Sequence, residues 1–312
     1  MKSGQNYKET SISVVIPVRN AIDYLPALLK ALFAQKPKKP DEIILIDSQP
    51  TDMTKKFVSS YPEVRVIPIA HFSHGRARNI GVKAAKGDII IFLTQDALPK
   101  DDNWLALLLA HFHDEQVGAA YSRQIPQPDA QPTERFFLHY HFPPGAPLQR
   151  SKISQEPLTF ENVFFSNVSS AARRYLLVRY PFDENLIMSE DQQFARDIMK
   201  AGFKVVYEPG SIVIHSHCYS LKTVFQRYFD SVYSLTVIFP KHGIKTSAAI
   251  GLLYLGKEMK YILLHYPLFL PYYCLYTIAK ASGTLAGHFA DKIPKAIVKK
   301  LSLHSYHWGS GL

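Results

Sequence analysis

The first third of the chain alternates between short apolar runs rich in β-branched residues and stretches with helical spacing. The runs are SISVVIP, DEIILID, VRVIPI and DIIIFLT; between them lie AIDYLPALLKALFAQ, TDMTKKFVSSY and GRARNIGVKAAKG. Parallel strands need a long crossover between them, usually a helix, so this alternation predicts a parallel sheet covered on both faces. A run as apolar as IIIFLT suits a central strand buried on both sides. DDNWLALLLAHF predicts the next helix and VGAAYSR the next strand, and SEDQQFARDIMKAGF predicts a helix before two short strands, KVVYEP and SIVIHSH. The expected fold class is α/β, a mostly parallel sheet flanked by helices. From about Gln124 to Gln155 the chain is rich in Pro, Gln and aromatics, which predicts a long functional loop with one short helix.

With 312 residues, 47% of them apolar, the chain can bury a sizeable core. Its polar start, MKSGQNYKET, predicts no secretory leader and a cytoplasmic protein. Cys218 and Cys274 fit no zinc or redox spacing, and two such cysteines predict no disulfide framework. Of the net charge of +10, most lies late: from Tyr219 onward eleven Lys or Arg face three acids, 11 − 3 = +8. These residues stand among long apolar stretches, and no nucleic-acid-binding motif accompanies them, so nucleic acid is excluded as the partner. YILLHYPLFLPYYCLYTIA is about as long as a membrane span, but His265, Pro267, Pro271 and several tyrosines interrupt it. A helix or broken helix pair lying in an anionic membrane interface is expected, with an apolar homo-oligomer interface as the alternative. Two regions follow: a catalytic domain over 1–218 and a helical, basic, membrane-associated region over 219–312.

Ligands of open parallel sheets bind at the carboxyl ends of the strands. Asp47 ends the second run and Asp96 follows the fourth, and on neighbouring strands they would share one crevice. Asp47 could accept from a nucleobase N–H or ribose hydroxyls. Asp96 could hold a hard divalent cation, Mg²⁺ or Mn²⁺, that also grips a diphosphate. Each alone is also an ordinary cap or turn residue, and Asp52 reads as such a cap. In HFSHGRARNIG, His74 and Gly75 open a helix whose first turns carry Arg76 and Arg78, an anion site or a solvated basic face. Ser189 reads as the N-cap of the helix that begins Glu190–Asp191. Either these acids serve the helix terminus, or Asp191 is a general base with Glu190 orienting it or the acceptor. His215 and His217 close the last strand and could add a neutral imidazole to the cation site. Asn167, in FFSNVSSAARR, could line an acceptor pocket; Arg173 and Arg174 either join it or start a solvated helix.

Taken in order, these clusters resemble glycosyltransferase family 2, inverting enzymes with a Rossmann-like GT-A fold, over roughly residues 11–218. VVIPVRN looks like the family's opening strand, IDSQPTDMT its nucleotide-binding turn, TQDA its metal-binding D-x-D motif and SED its base-carrying E-D motif. The resemblance implies that Pro17, Val18, Arg19, Asp47, Ser48, His74, Arg76, Arg78, Gln95 and Asp96 bind a nucleotide-sugar. It also implies that Asp96, His215 and His217 hold a divalent metal. Thr94 stands where the first acid of D-x-D is usual, which predicts weak metal binding that tightens with donor. HFSHGRARNIG, TQDALP, FSNVSSAARR and HSH are similar to the rhamnosyltransferase branch. That implies transfer of rhamnose from dTDP-rhamnose to a lipid-linked glycan, in O-antigen or other polysaccharide biosynthesis at the cytoplasmic membrane face. The alternatives are a UDP- or GDP-sugar donor, or a non-catalytic membrane module of the same fold.

Overall fold

The structure, a computed structural model, describes residues 10–152, 158–160, 162–240 and 244–309. In chain order its elements begin β1 (Ile12–Val18), α1 (Leu25–Phe33), β2 (Glu42–Asp47), α2 (Asp52–Val58) and β3 (Val64–Pro68). Next come α3 (His74–Ala84), β4 (Ile89–Leu93), β5 (Leu98–Pro99), α4 (Trp104–Leu109), β6 (Val117–Ile125) and α5 (Pro132–His141). After these lie β7 (Leu148–Arg150), β8 (Ser169–Arg173), α6 (Arg174–Arg179), α7 (Glu190–Lys200) and β9 (Lys204–Ile214). The last four are α8 (Leu221–Ile238), α9 (Ile244–His265), α10 (Leu270–His288) and α11 (Lys295–Leu301).

The described residues form two compact units. The first comprises residues up to Ile125, Phe142–Glu184 and Glu190–His215; the second takes Pro126–His141, Asn185–Ser189 and everything from Ser216. The middle segment expected as a loop thus contributes α5 to the second unit, and its last residues, Gln155 among them, lie outside the described ones.

In the first unit one sheet runs β3-β2-β1-β4-β8-β6-β9-β5, with β7 on β9. The pairs β3–β2, β2–β1, β1–β4 and β6–β9 are parallel; β4–β8, β8–β6, β9–β5 and β9–β7 are antiparallel. The sheet is therefore mixed, not mostly parallel. β8 makes the difference, entering antiparallel between β4 and β6. Its sequence SSAAR has little β propensity, so nothing local announced a strand. All four of its small residues are buried, and the slot between two strands decides the conformation. KVVYEP and SIVI, expected as two strands, are one: β9 runs through Pro209 and Gly210 by a bulge, where Ser122 pairs Glu208 and Arg123 pairs Ile212. A bulge leaves residues unpaired, which is how a proline fits inside a strand.

Packing fixes the helices. Leu25, Leu28, Leu29 and Leu32 of α1 recur on one face and are fully buried, each stabilising by roughly 1.5–3 kcal/mol. α3 lies on β1 because Gly81 has no side chain: a Cβ there would sit 2.2 Å from Val15 Cγ1. The cap of α2 is Thr51, whose hydroxyl accepts from Thr54 N–H at 3.2 Å, while Asp52 is the first helical residue.

In the second unit α8 and α10 pack together, and Phe229, Ala290 and Val298 form a small core with Trp308 against it. The apolar run from Tyr261 to Ala279 is broken at Tyr266–Phe269 into the end of α9 and the start of α10. No helix among the described residues is long and apolar enough to cross a membrane.

Candidate active site

Strand ends deliver the polar residues to one edge of the sheet in the first unit. Pro17 and Val18 are the last residues of β1, paired with Ile46 and Asp47 of β2. Past them, Arg19 N–H donates to Gln95 Oε1 at 2.8 Å and Gln95 Nε2 donates back to the Arg19 carbonyl at 3.2 Å. Arg19 Nε donates to Gln49 Oε1 at 3.1 Å, so the loops after β1, β2 and β4 are tied to each other. Asn20 turns the chain here in the left-handed region, φ 48°, which asparagine tolerates. The Ser48 hydroxyl donates to the Val18 carbonyl at 3.2 Å and is spent on the main chain.

Asp47 closes β2 and is buried, accepting the Gln49 N–H at 2.9 Å. Burial raises its pKa, against the Gln49 N–H and the charge of Lys55. β1 lies between β2 and β4, so Asp47 and Asp96 flank a central strand rather than ending neighbouring ones.

Asp96 Oδ1 stands 3.6 Å from His215 Nε2. β9 ends at Ile214, so His215 is the first residue past the strand, and it is buried. Its Nδ1 lies 3.0 Å from Gln124 Oε1, and Gln124 Nε2 donates to Ser166 Oγ at 3.0 Å. With the glutamine amide so turned, Nδ1 carries the proton in the neutral ring and Nε2 is an acceptor. Nε2 then faces a carboxylate oxygen, a pair satisfied by a second proton on the ring or by a cation held between them. The donor set, one carboxylate and one imidazole, suits Mg²⁺ or Mn²⁺ completed by substrate oxygens. Gln124, which the sequence did not single out, is the partner of a candidate ligand. A polar residue at the carboxyl end of an apolar strand was the available signal. His217 belongs to the second unit, where its N–H donates to Glu134 Oε1 at 3.4 Å and its ring meets Tyr219 at 5.0 Å.

α3 is capped by Ser73, which accepts the Arg76 N–H. His74 sits edge-on to Phe72, ring centroids 5.1 Å apart. Arg76 is exposed, but Arg78 is buried and ion-paired to Glu190. The two arginines therefore do not form one anion site. Glu190, expected to orient the base or acceptor, joins α7 to α3 through Arg78.

Asp191, in the first turn of α7, accepts from Asn167 N–H at 3.1 Å and from Gln192 N–H at 2.9 Å. Burial first, and the neighbouring Glu190 second, push its pKa up to about 7, despite both N–H groups and the charge of Arg78. Such a carboxyl is matched to taking a proton near neutral pH. Ser189, just before this turn, has φ 66°, an unusual conformation for a residue with a side chain. Asn167 meets Asp191 through its main chain; its buried side chain accepts from Ser170 Oγ at 2.8 Å through Oδ1. Arg173 is structural too, donating to the carbonyls of Val117, Phe112 and Asp114. Arg78 Nε, Thr94 Oγ1, Asn167 Nδ2 and Gln192 Oε1 are buried without a hydrogen-bond partner among the described residues. Buried polar atoms are rarely left so, and these belong to the strand end and helix start that carry the candidate residues.

A GT-A-like α/β fold with a candidate cation pair and a candidate base on its strand and helix ends fits a sugar-transferring enzyme. The chain belongs to glycosyl transferase family 2, whose model matches residues 13–178, and it is a glycosyltransferase. It is 31% identical over 304 residues to the O-antigen chain rhamnosyltransferase RfbN of Salmonella typhimurium, covering 96% of each chain. To WbaN of Salmonella anatum, also an O-antigen chain rhamnosyltransferase, it is 30% identical with 96% of each covered. Among solved structures, the mannosyltransferase PcManGT from Pyrobaculum calidifontis, in complex with GDP-Man and Mn²⁺, superposes with a TM-score of 0.60 at 18% identity. That match covers 88% of this chain and 87% of the other. S. aureus TarS 1-349 in complex with UDP-GlcNAc gives 0.55 at 17% identity, covering 94% and 84%.

Proposed function

We propose that the enzyme transfers rhamnose, with inversion, from dTDP-rhamnose to a lipid-linked glycan in cell-surface polysaccharide synthesis. The observation that carries the mechanism is Asp191, a carboxyl held by two main-chain N–H groups with its pKa raised to about 7. In one displacement the acceptor oxygen attacks the anomeric carbon, the bond to the diphosphate oxygen breaks, and the proton moves to Asp191. The donor assignment draws support from the two rhamnosyltransferases that align along 96% of the chain.

Asp47 accepts from the base or ribose of the nucleotide, and the rim of Pro17, Val18, Arg19, Ser48 and Gln95 shapes its pocket. Exposed Arg76, beside His74 at the start of α3, attracts the diphosphate. Asp96 and His215, with His217 two residues on, hold a divalent cation, Mg²⁺ or Mn²⁺. When bound, that ion stabilises negative charge on the leaving diphosphate. Glu190 and Arg78 position α7, and Asn167 aims Asp191. The acceptor is presented at the cytoplasmic face of an anionic membrane, with which the region 219–312 associates.

Calorimetric titration with dTDP-rhamnose, UDP-glucose and GDP-mannose, each with and without Mg²⁺ or Mn²⁺, tests this. Selective, metal-dependent binding of dTDP-rhamnose is expected. Preference for another donor overturns the rhamnose assignment and leaves the mechanism. Binding of none, with any metal, overturns the catalytic reading.

A further inference from the structure

Two helices of the second unit, α9 and α10, turn apolar faces outward. On α9, Leu252, Leu253, Leu263 and Leu264 recur at helical spacing on one face, and all are exposed. The opposite face buries Glu258, which pairs with Lys280 of α10 at 3.0 Å and lies 3.3 Å from the hydroxyls of Tyr254 and Tyr273. Lys280 is further caged by the rings of Tyr254, Tyr228 and Tyr276 at 4.3–5.5 Å. α10 repeats the pattern, with Leu275, Ile278 and Leu285 outward. Leu268, at the turn joining the two helices, is 97% exposed. The inward face holds this ion pair and its tyrosines beside buried Ile262, while the leucines face out, unlike a helix pair whose outer face meets water.

The helix contact has a matching character. Gly283 and Gly287, four apart on α10, lie against α8 so closely that a Cβ would come within 2.3 Å of the Phe225 carbonyl and 2.6 Å of the Phe229 carbonyl. Small residues at this spacing let helices associate without relying on water to drive them together. Basic residues complete the surface: Lys260 lies within the leucine stripe of α9 and Lys257 at its edge, both exposed. They can extend their ammonium groups past the apolar face toward anionic headgroups.

We infer that the α9–α10 hairpin inserts in the plane of an anionic lipid surface, the leucine stripes and the Leu268 turn entering the acyl boundary and Lys257 and Lys260 meeting headgroups. The occupant is lipid rather than a second copy because Lys260 within the stripe and Lys257 at its edge carry positive charge, which two copies would bring together. This deepens, and rests on, the membrane setting proposed above, naming the surface that makes the contact.

The test is co-sedimentation of the full chain with phosphatidylcholine vesicles, with and without phosphatidylglycerol. The expected result is binding that strengthens with the anionic lipid. Leu264→Gln with Leu268→Gln should weaken it roughly tenfold or more. Lys257→Gln with Lys260→Gln should weaken only the anionic component, by roughly fivefold per residue. Leu148→Gln, an exposed leucine of the first unit, should change nothing. Wild-type protein that stays in the supernatant, or leucine variants that bind as wild type, overturns the inference. So does a lipid-free dimer that the leucine variants convert to monomer. dTDP-rhamnose binding, measured on the same proteins, reports folding and the donor assignment separately from the vesicle result.

Discussion

Asp191 and Gln124 are the residues whose chemistry is most open to test. Asp191→Asn removes the proposed base while preserving shape, so turnover should fall about 10²–10⁴-fold with dTDP-rhamnose affinity retained. Single-turnover rates and calorimetry on the same protein check both halves. In the wild type the base acts only when ionised, so the rate should rise with pH through about 7, and the variant should lose that limb. Gln124 sets which nitrogen of His215 carries the proton. Gln124→Met should weaken Mn²⁺ binding about 10–100-fold, as removal of a group orienting a metal ligand does. Mn²⁺ titration followed by electron paramagnetic resonance reads this without turnover, and an unchanged affinity would remove Gln124 from the site.

At the scale of elements, the candidate site depends on how α3 and α7 are held. α3 approaches β1 closely at Gly81, and Gly81→Ala forces a methyl against Val15, at about 1–3 kcal/mol. The urea midpoint should fall accordingly. α7 is tied to α3 by the buried Arg78–Glu190 pair. Glu190→Ala leaves a buried guanidinium unpaired and should cost about 3–5 kcal/mol, a larger loss than the glycine change. Equal urea midpoints for Glu190→Ala and wild type would mean that the pair contributes nothing to anchoring α7.

For the whole molecule, burial gives an unusual pH dependence to part of its stability. Asp230, on α8, accepts the N–H groups of Leu303 and His304 at 3.0 and 3.2 Å and fastens the C-terminal segment. Burial, opposed by those bonds, pushes its pKa up to about 6. A folded state with a raised pKa holds a proton that the unfolded chain has released above about 4. This group's contribution is therefore full below that pH and is lost as pH rises to about 6. Asp230→Asn should thus gain on wild type in urea midpoint between pH 4 and about 6, with a constant difference above. A difference flat across that range would place the titration elsewhere.

The strand–helix alternation, the identity of β1 to β4, and the places of Asp47, Asp96, Asp191 and His215 at or just past strand ends or in a helix's first turn were legible in the chain, because apolar period and strand-end position are local properties. What the chain could not reveal depended on partners distant in sequence. SSAAR is a strand only because β4 and β6 leave a slot for one. Arg78 looked like half of an anion site until Glu190, 112 residues away, claimed it. Asn167 bears on Asp191 through its backbone, which no side-chain pattern encodes. Gln124 matters because a turned amide meets His215 across two strand ends. The leucines of α9 and α10 read simply as apolar, since hydropathy counts side chains without saying which face they take. Periodicity along a chain determines most of its elements; a strand such as β8, which polar atoms meet, and which apolar faces stay uncovered are decided by packing in three dimensions.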